Sequence, residues 1–500
     1  MTSENASVQG YDPRTGRPIG DPVPRTTEDQ VSRIAARAAA AFDVWRETGR
    51  DERARALEAV ADALDAHAGE LVAIADGETA LGEARLTGEV ARTTGQLRLF
   101  AAVLREGGYR DIVVDRALDP AQGARPDLRR INRPLGPVAV FAASNFPFAF
   151  SVAGGDTASA LAAGCSVVVK AHEAHPRTSL RTAMAVAEAL DSAGAPEGVF
   201  SIVFGFEAGI ALVEHPAITA VGFTGSARGG LALAKLCAER RKPIPFYGEL
   251  GSVNPVFVLP GAAAARPEEI ARGYAGSLTL GVGQFCTNPG LLFVPADDER
   301  LLEEIAAAVA ETTGGPMLAD RIHSGFVAGA QELAARPDLR TLAEGKPGEG
   351  PWAATPVVYA VTAEDFLRSA GKLREEHFGP LGLVITYTFG SGPDPFNLLD
   401  VGALGEGQLT ASIHLDPANS ADVTLGRTLA DRLGALAGRI VFNGWPTGVA
   451  VTHAQHHGGP FPATTAPAYT SVGAAAIRRW LVPVVYQDCP PELLPADLAV

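Results

Sequence analysis

The sequence predicts an α/β protein with more than one sheet, on three observations. The chain has 500 residues, more than a single hydrophobic core ordinarily serves, so two or three domains are expected, some discontinuous in sequence. From residue 138 onward, short apolar runs recur about 20 to 30 residues apart with Ala/Leu-rich helical segments between them, the pattern of parallel sheets covered by helices on both faces. Ahead of them lie two extended stretches with polar alternation, which read as a projecting β hairpin.

Taken in order, the opening MTSENASVQGYDPRTGRP has no basic segment followed by an apolar one, so no secretory signal is expected. Thr27 with Gln30 forms a capping box, and Val31, Ile34, Ala35, Ala38, Phe42 and Trp45 follow at helical spacing. The chain to about residue 108 reads as mostly helical. DIVVDRAL and PDLRRINRPLG, joined by a Pro/Gly-containing loop, form the expected hairpin, whose exposed edges suit a subunit contact. VAVFAA (138–143), SVVVK (166–170), VFSIVFG (199–205) and ITAVGFTG (218–225) are the strands of a first parallel sheet, of the kind that binds nucleotides at its carboxyl ends. A second α/β region runs through PVFVLP (255–260), GLLFVP (290–295), GLVITYTFG (382–390) and GRIVFNG (438–444). The tail reads as a helix, an extended strand able to pair with the hairpin, and a proline-rich end.

Composition narrows the function. With 57 acidic against 42 basic residues and a net charge of −15, the surface repels polyphosphate and anionic membranes, so nucleic acid is not an expected partner. No apolar stretch is long enough for a membrane span. Cys165, Cys237, Cys286 and Cys489 lie far apart without a C-x-x-C pair, which argues against a zinc site or disulfide framework and for the reducing cytoplasm. A small molecule or cofactor is the expected ligand.

Three short stretches carry candidate chemistry. In GVGQFCTNPG, Gly281 and Gly283 free the backbone ahead of Cys286 and keep bulk from its sulfur. A lone cysteine is also a common buried core residue, and a free thiol with a pKa of ~8.5 needs a donor or a base nearby to act as a nucleophile. Upstream, PFYGELGSVNP sets Glu249 between glycines beside an apolar strand; desolvation there raises a carboxylate toward the range of a general base, although a glutamate in a surface turn is the commoner case. In ASNFPF, Asn145 follows an apolar strand, where it serves either as a helix cap or as an amide donor to an oxyanion.

ASNFPF, GFTGS, GELGSVNP and GQFCTNPG occur in this order, followed by EEHFGPLGLV at 375–384 and FNGWPTG at 442–448. All six resemble motifs of the aldehyde dehydrogenase superfamily, and the resemblance covers nearly the whole chain. It implies a Rossmann-like cofactor domain from residues 1–110 plus 135–250, a catalytic domain at 251–446, and an oligomerisation extension from 111–134 plus 470–500. It also implies that Cys286 attacks an aldehyde, that Asn145 and the Cys286 backbone N–H hold the oxyanion, and that Glu249 activates the water that hydrolyses the resulting thioester. For NAD or NADP it implies Gly205, Gly209, Gly225 and Ser226 near the dinucleotide, Lys170 at the adenine-side ribose, and Glu376 with Phe378 at the nicotinamide ribose and ring. The G-x-G-x-x-G fingerprint is absent. In KAHEAHPRTS, Glu173 would accept from ribose hydroxyls and repel a 2′-phosphate, favouring NAD, whereas Arg177 pulls toward NADP.

Within the superfamily the set is most similar to α-ketoglutarate semialdehyde (2,5-dioxopentanoate) dehydrogenases, with fatty-aldehyde dehydrogenases as neighbours. VAVTHAQHHGG departs from the expected pattern where the substrate entrance is implied. A distal carboxylate needs a cation, and EVARTTGQLRLF offers Arg92, Gln96 and Arg98, the first two sharing a helix face at i, i+4; Phe146 beside Asn145 is placed with them. A CoA-acylating enzyme is disfavoured by a water-activating Glu249, and a non-catalytic protein of this fold by the joint presence of nucleophile, base and oxyanion donor. The hairpin and tail imply a homodimer or homotetramer.

Overall fold

The computed structural model describes residues 6–119, 123–388 and 406–499; the start of the N-terminal stretch, the hairpin tip at 120–122 and the last two residues of the run 382–390 lie outside them. Helices Glu28–Trp45, Arg50–Ala66, Ala68–Thr79 and Glu83–Glu106 make up the N-terminal part. The first begins at its capping box: Gln30 donates its backbone N–H to Thr27 Oγ1 at 3.3 Å, and Thr27 donates to Gln30 Oε1 at 2.8 Å. At its other end Trp45, 1% exposed, donates its indole N–H to Leu161 O at 3.0 Å, pinning the helical layer to helix Gly155–Ala163. Emptying such a site costs about 3–5 kcal/mol.

The first sheet has five parallel strands in the order Phe246–Glu249, Ala220–Thr224, Val138–Phe141, Val167–Lys170, Phe200–Val203. Val167, Val168 and Val169 are all fully buried, as expected when helices cover both faces. Chain order reverses beside Val138–Phe141, and such a switch point opens a crevice at the carboxyl ends of the strands.

The second sheet has seven strands in the order Arg340–Glu344, Val357–Thr362, Leu381–Tyr387, Leu291–Pro295, Val256–Val258, Gln408–His414, Ala437–Phe442, parallel throughout except for the antiparallel first pair. Of the strands in these two sheets, sequence patterning misses four: Phe246–Glu249, Arg340–Glu344, Val357–Thr362 and Gln408–His414. The last is wholly buried although it reads QLTASIH. Its polar atoms are used: Gln408 Oε1 accepts from Ser252 Oγ, Val253 N and Asn254 N at 2.9, 3.0 and 3.2 Å.

Leu481–Gln487, Leu128–Pro134 and Val113–Asp115 form a third, antiparallel sheet. Val482, Val484 and Val485 on its C-terminal strand are 41%, 37% and 55% exposed. Among the described residues no helix is long and apolar enough to cross a membrane.

Candidate active site

Asn145 lies just past the strand at the switch point, on a segment held from below by helix Glu83–Glu106. Arg85 Nη2 donates to Asn145 O at 2.7 Å, with its guanidinium carbon 5.3 Å and 4.9 Å from the ring centres of Phe146 and Phe285. Buried Glu89 accepts from the Phe148 and Ala149 N–H groups at 2.8 and 3.0 Å, and Gln96 Nε2 donates to Ala149 O at 3.3 Å. The Asn145 side-chain amide donates to Gln284 O at 2.9 Å. An amide nitrogen carries two protons, so a second is available to a substrate oxygen.

The cysteine loop takes its shape from three consecutive left-handed residues, Gly281 (φ 57°), Val282 (φ 57°) and Gly283 (φ 67°). Gly283 approaches the Gly379–Pro380 backbone so closely that a Cβ there would collide with it. Side-chain amides then pin the peptide: Asn254 Nδ2 donates to Cys286 O at 2.8 Å and Asn288 O at 2.9 Å, and Asn288 Nδ2 donates to Leu278 O at 2.9 Å. Asn254, itself left-handed at φ 43°, sits a few residues beyond Glu249, so one short segment carries the carboxylate and orients the cysteine.

Glu249 ends its strand, 3% exposed. Its Oε1 is 2.7 Å from His457 Nε2, Ser471 Oγ donates to its Oε2, and His457 Nε2 is 3.7 Å from Cys286 Sγ. Ligand atoms of Glu249, Cys286 and His457 all lie within 4.8 Å of one another. His457 Nε2 must carry its proton, because a lone pair there would face the carboxylate. Neither His457 nor Ser471 was singled out from the sequence; His457 is the last histidine of VAVTHAQHHGG, a departure that marked the segment but not the residue.

Electrostatics corrects one expectation. Burial does push Glu249 upward, but the charge and hydrogen bond of His457, with Ser471 and Arg479, outweigh it, and the carboxyl ends below its ordinary range. It is therefore ionised in the resting protein. Cys286 is half-buried, and burial, then the charges of Glu249 and Glu376, push its thiol well above the ordinary range.

Arg92 donates to Val449 O at 2.6 Å and lies 5.6 Å over the Phe150 ring, near enough to feel the charges of Glu89, Cys286 and Glu249. Arg98 does not join this group; it is exposed and bound to Asp62 and Asp65 at 2.6 and 2.8 Å.

The aldehyde dehydrogenase family model matches residues 1–390. The chain is 46% identical to α-ketoglutaric semialdehyde dehydrogenase 2 of Azospirillum brasilense, over 98% of this chain and 93% of that one. It is 42% identical to α-ketoglutaric semialdehyde dehydrogenase of Acinetobacter baylyi, over 96% and 90%. A crystal structure of proline utilization A from Bradyrhizobium japonicum superposes with a TM-score of 0.78 at 26% identity, covering 93% of this chain but 45% of that larger one. The chain belongs to the aldehyde dehydrogenase family. It is an NAD(P)-dependent aldehyde dehydrogenase.

In this aldehyde dehydrogenase the expected cofactor residues gather at the carboxyl ends of the first sheet. Lys170 ends its strand with Nζ 3.0 Å from Glu173 Oε1. Gly205 (φ 104°) precedes helix Phe206–Glu214, and Gly209 in that helix packs on Phe141 and the Lys170 stem. Ser226 caps helix Ala227–Glu239, Oγ accepting from Gly229 N at 3.3 Å. Gly225 N donates to Glu249 O at 3.1 Å, tying the turn to the buried carboxylate. Glu376, from the loop that also carries Phe378, lies against Gly251 with its carboxyl bonded to the Ser252 backbone. A helix N-terminus for phosphate and a strand-end Lys/Glu pair for a ribose fit a dinucleotide. The Arg177 guanidinium packs against Gly20 of the N-terminal segment, turned to the protein's own backbone.

Proposed function

We propose that the enzyme oxidises α-ketoglutarate semialdehyde to 2-oxoglutarate, as the names of the two relatives described above indicate for those proteins. In this reading Cys286 Sγ adds to the aldehyde carbon and its proton passes to the carbonyl oxygen. The Asn145 amide and the Cys286 N–H stabilise that oxygen as charge develops on it, a contribution of about 10²–10³ in rate per donor. His457 Nε2–H donates to the thiolate as it forms and keeps Glu249 in place. NAD(P), when bound, would supply the hydride acceptor for oxidation of the thiohemiacetal to a thioester, with the hydroxyl proton released to solvent. Glu249, already ionised, takes a proton from water as that water attacks, and the Cys286 thiolate leaves and is reprotonated. One aldehyde, one oxidised cofactor and one water give a carboxylic acid, reduced cofactor and a proton.

Lys170 and Glu173 hold the adenine-side ribose, Gly205 and Gly209 open the approach to it, Gly225 and Ser226 with the amides behind them hold the pyrophosphate, and Glu376 with Phe378 hold the nicotinamide end. Glu173 at the ribose, with Arg177 turned away, favours NAD over NADP. The division into cofactor, catalytic and oligomerisation parts is the one expected above, with the third sheet joining subunits of a homodimer or homotetramer in the cytoplasm.

The observation that supports the substrate class is Arg92, a cation whose charge reaches Cys286 and Glu249 and to which no carboxylate is hydrogen-bonded among the described residues. Phe146, Phe150 and Gln96 shape the wall around it. Rates over a panel of semialdehydes and straight-chain aldehydes, each with NAD and NADP, test the reading. Arg92→Met is expected to lose about 2–3 kcal/mol of preference, roughly 30- to 150-fold, for the semialdehyde over a neutral aldehyde of equal length, while Arg98→Met leaves it intact. An unchanged preference in Arg92→Met removes the arginine from that role; a wild-type preference for long neutral aldehydes favours a fatty-aldehyde enzyme instead.

A further inference from the structure

The grouping of Cys286, His457 and Glu249 has a second use that is independent of which aldehyde is oxidised. We propose that it is a reversible inhibitory site for zinc, a soft divalent cation that closes the enzyme by binding its nucleophile. Sulfur, imidazole nitrogen and carboxylate oxygen are three ligand types that zinc takes together. With Zn–N and Zn–O of about 2.0 Å and Zn–S of about 2.3 Å, a tetrahedral ion sets its ligand atoms ~3.3–3.5 Å apart. The sulfur and His457 nitrogen are 3.7 Å apart and the nitrogen and Glu249 oxygen 2.7 Å, and all three ligand atoms lie within 4.8 Å. Shifts of less than an ångström or so at two side chains therefore open a three-ligand cage, with water in the fourth position.

The protons balance simply. Zinc displaces the Cys286 thiol proton and the His457 Nε2 proton to solvent, and His457 keeps the proton on Nδ1, so that Nε2 is the ligand. Thiolate and carboxylate together cancel the charge of the ion. Arg92, whose charge reaches both Cys286 and Glu249, and Arg479, which reaches Glu249, oppose the cation. The buried His457 Nδ1 has no hydrogen-bond partner among the described residues, whereas resident zinc sites orient each histidine through such a partner. Both features mark a site that zinc occupies reversibly. Occupancy also breaks the Glu249–His457 contact, so nucleophile and water-activating base are disabled together.

Metal-free enzyme, without bound cofactor, is titrated with Zn²⁺ by calorimetry and separately with Co²⁺, followed by absorption. One ion per chain, a thiolate-to-cobalt charge-transfer band, and inhibition reversed by EDTA are expected. His457→Asn and Glu249→Gln should each weaken zinc binding by more than the roughly 10–100-fold that loss of an outer-shell partner costs. Zinc should also slow iodoacetamide labelling of Cys286 in wild type but not in His457→Asn. Neighbouring His456→Asn and half-buried Cys489→Ser, remote in the chain, should bind zinc as wild type does. A cobalt complex without the thiolate band overturns the proposal, and so does zinc binding unchanged in both His457→Asn and Glu249→Gln. Because binding and spectra need no aldehyde, a failed substrate assignment leaves this test intact.

Discussion

The sulfur of Cys286 is desolvated by burial and stands where the charges of Glu249 and Glu376 both reach it, and its reactivity follows from that. A thiol reacts through its thiolate, and a raised pKa means the thiolate fraction is still growing where an ordinary thiol has levelled off. Alkylation of Cys286 by iodoacetamide should therefore keep accelerating as pH passes about 9, beyond the plateau of a free thiol with pKa ~8.5. Glu249→Gln removes a negative neighbour and should shift that profile to lower pH; a shift upward would refute the electrostatic account. In the same variant a single turnover of cofactor reduction should survive while steady-state turnover falls by about 10²–10⁴-fold, the range for loss of a general base. The three residues Cys286, Glu249 and Asn145 were legible because each stands in a short motif of unusual composition. His457 and Ser471 were not, because nothing local in HHGGP or YTSVG distinguishes a histidine or serine that reaches Glu249 from one facing solvent.

At the scale of elements, function rests on how loops are locked together. Gly283 fills a place where the cysteine loop touches the Gly379–Pro380 backbone, adjacent to Glu376 and Phe378. Gly283→Ala adds both left-handed strain of about 1–3 kcal/mol and a backbone collision. Gly82, also left-handed at φ 87° but with open space around it, is the comparison. Gly283→Ala is expected to lower kcat/KM at least tenfold, about 1.4 kcal/mol, and to lower Tm more than Gly82→Ala. Equal, mild effects in both would show that the loop contact is not limiting. The continuous Val-rich runs announced their strands because burial on both faces requires apolar residues on both. QLTASIH hid its strand because its polar atoms are satisfied by partners far along the chain, such as Gln408 with the Ser252–Asn254 segment.

For the whole molecule, the three-stranded sheet holds residues that a lone chain has no reason to expose. Val482 and Val484 fall on one face of strand Leu481–Gln487 and are 41% and 37% exposed. Replacing both with Asp buries two charges in any interface formed there, each costing several kcal/mol. Size-exclusion chromatography with light scattering should show the wild type as an oligomer and the double variant as smaller species; an oligomer unchanged by the double variant would place the interface elsewhere.

Local order along the chain was enough to determine most of the alternation of strand and helix, the capping box at Thr27, the parallel character of the buried runs and the candidate nucleophile, because each depends on residues near one another in sequence. The tertiary structure alone decided that His457 stands between Cys286 and Glu249, that Glu249 is ionised despite its burial, that Arg92 and not Arg98 neighbours the site, and that three potential metal ligands share one small volume. Those are properties of side chains brought together across the two sheets, and spacing along a polypeptide carries no measure of distance across it.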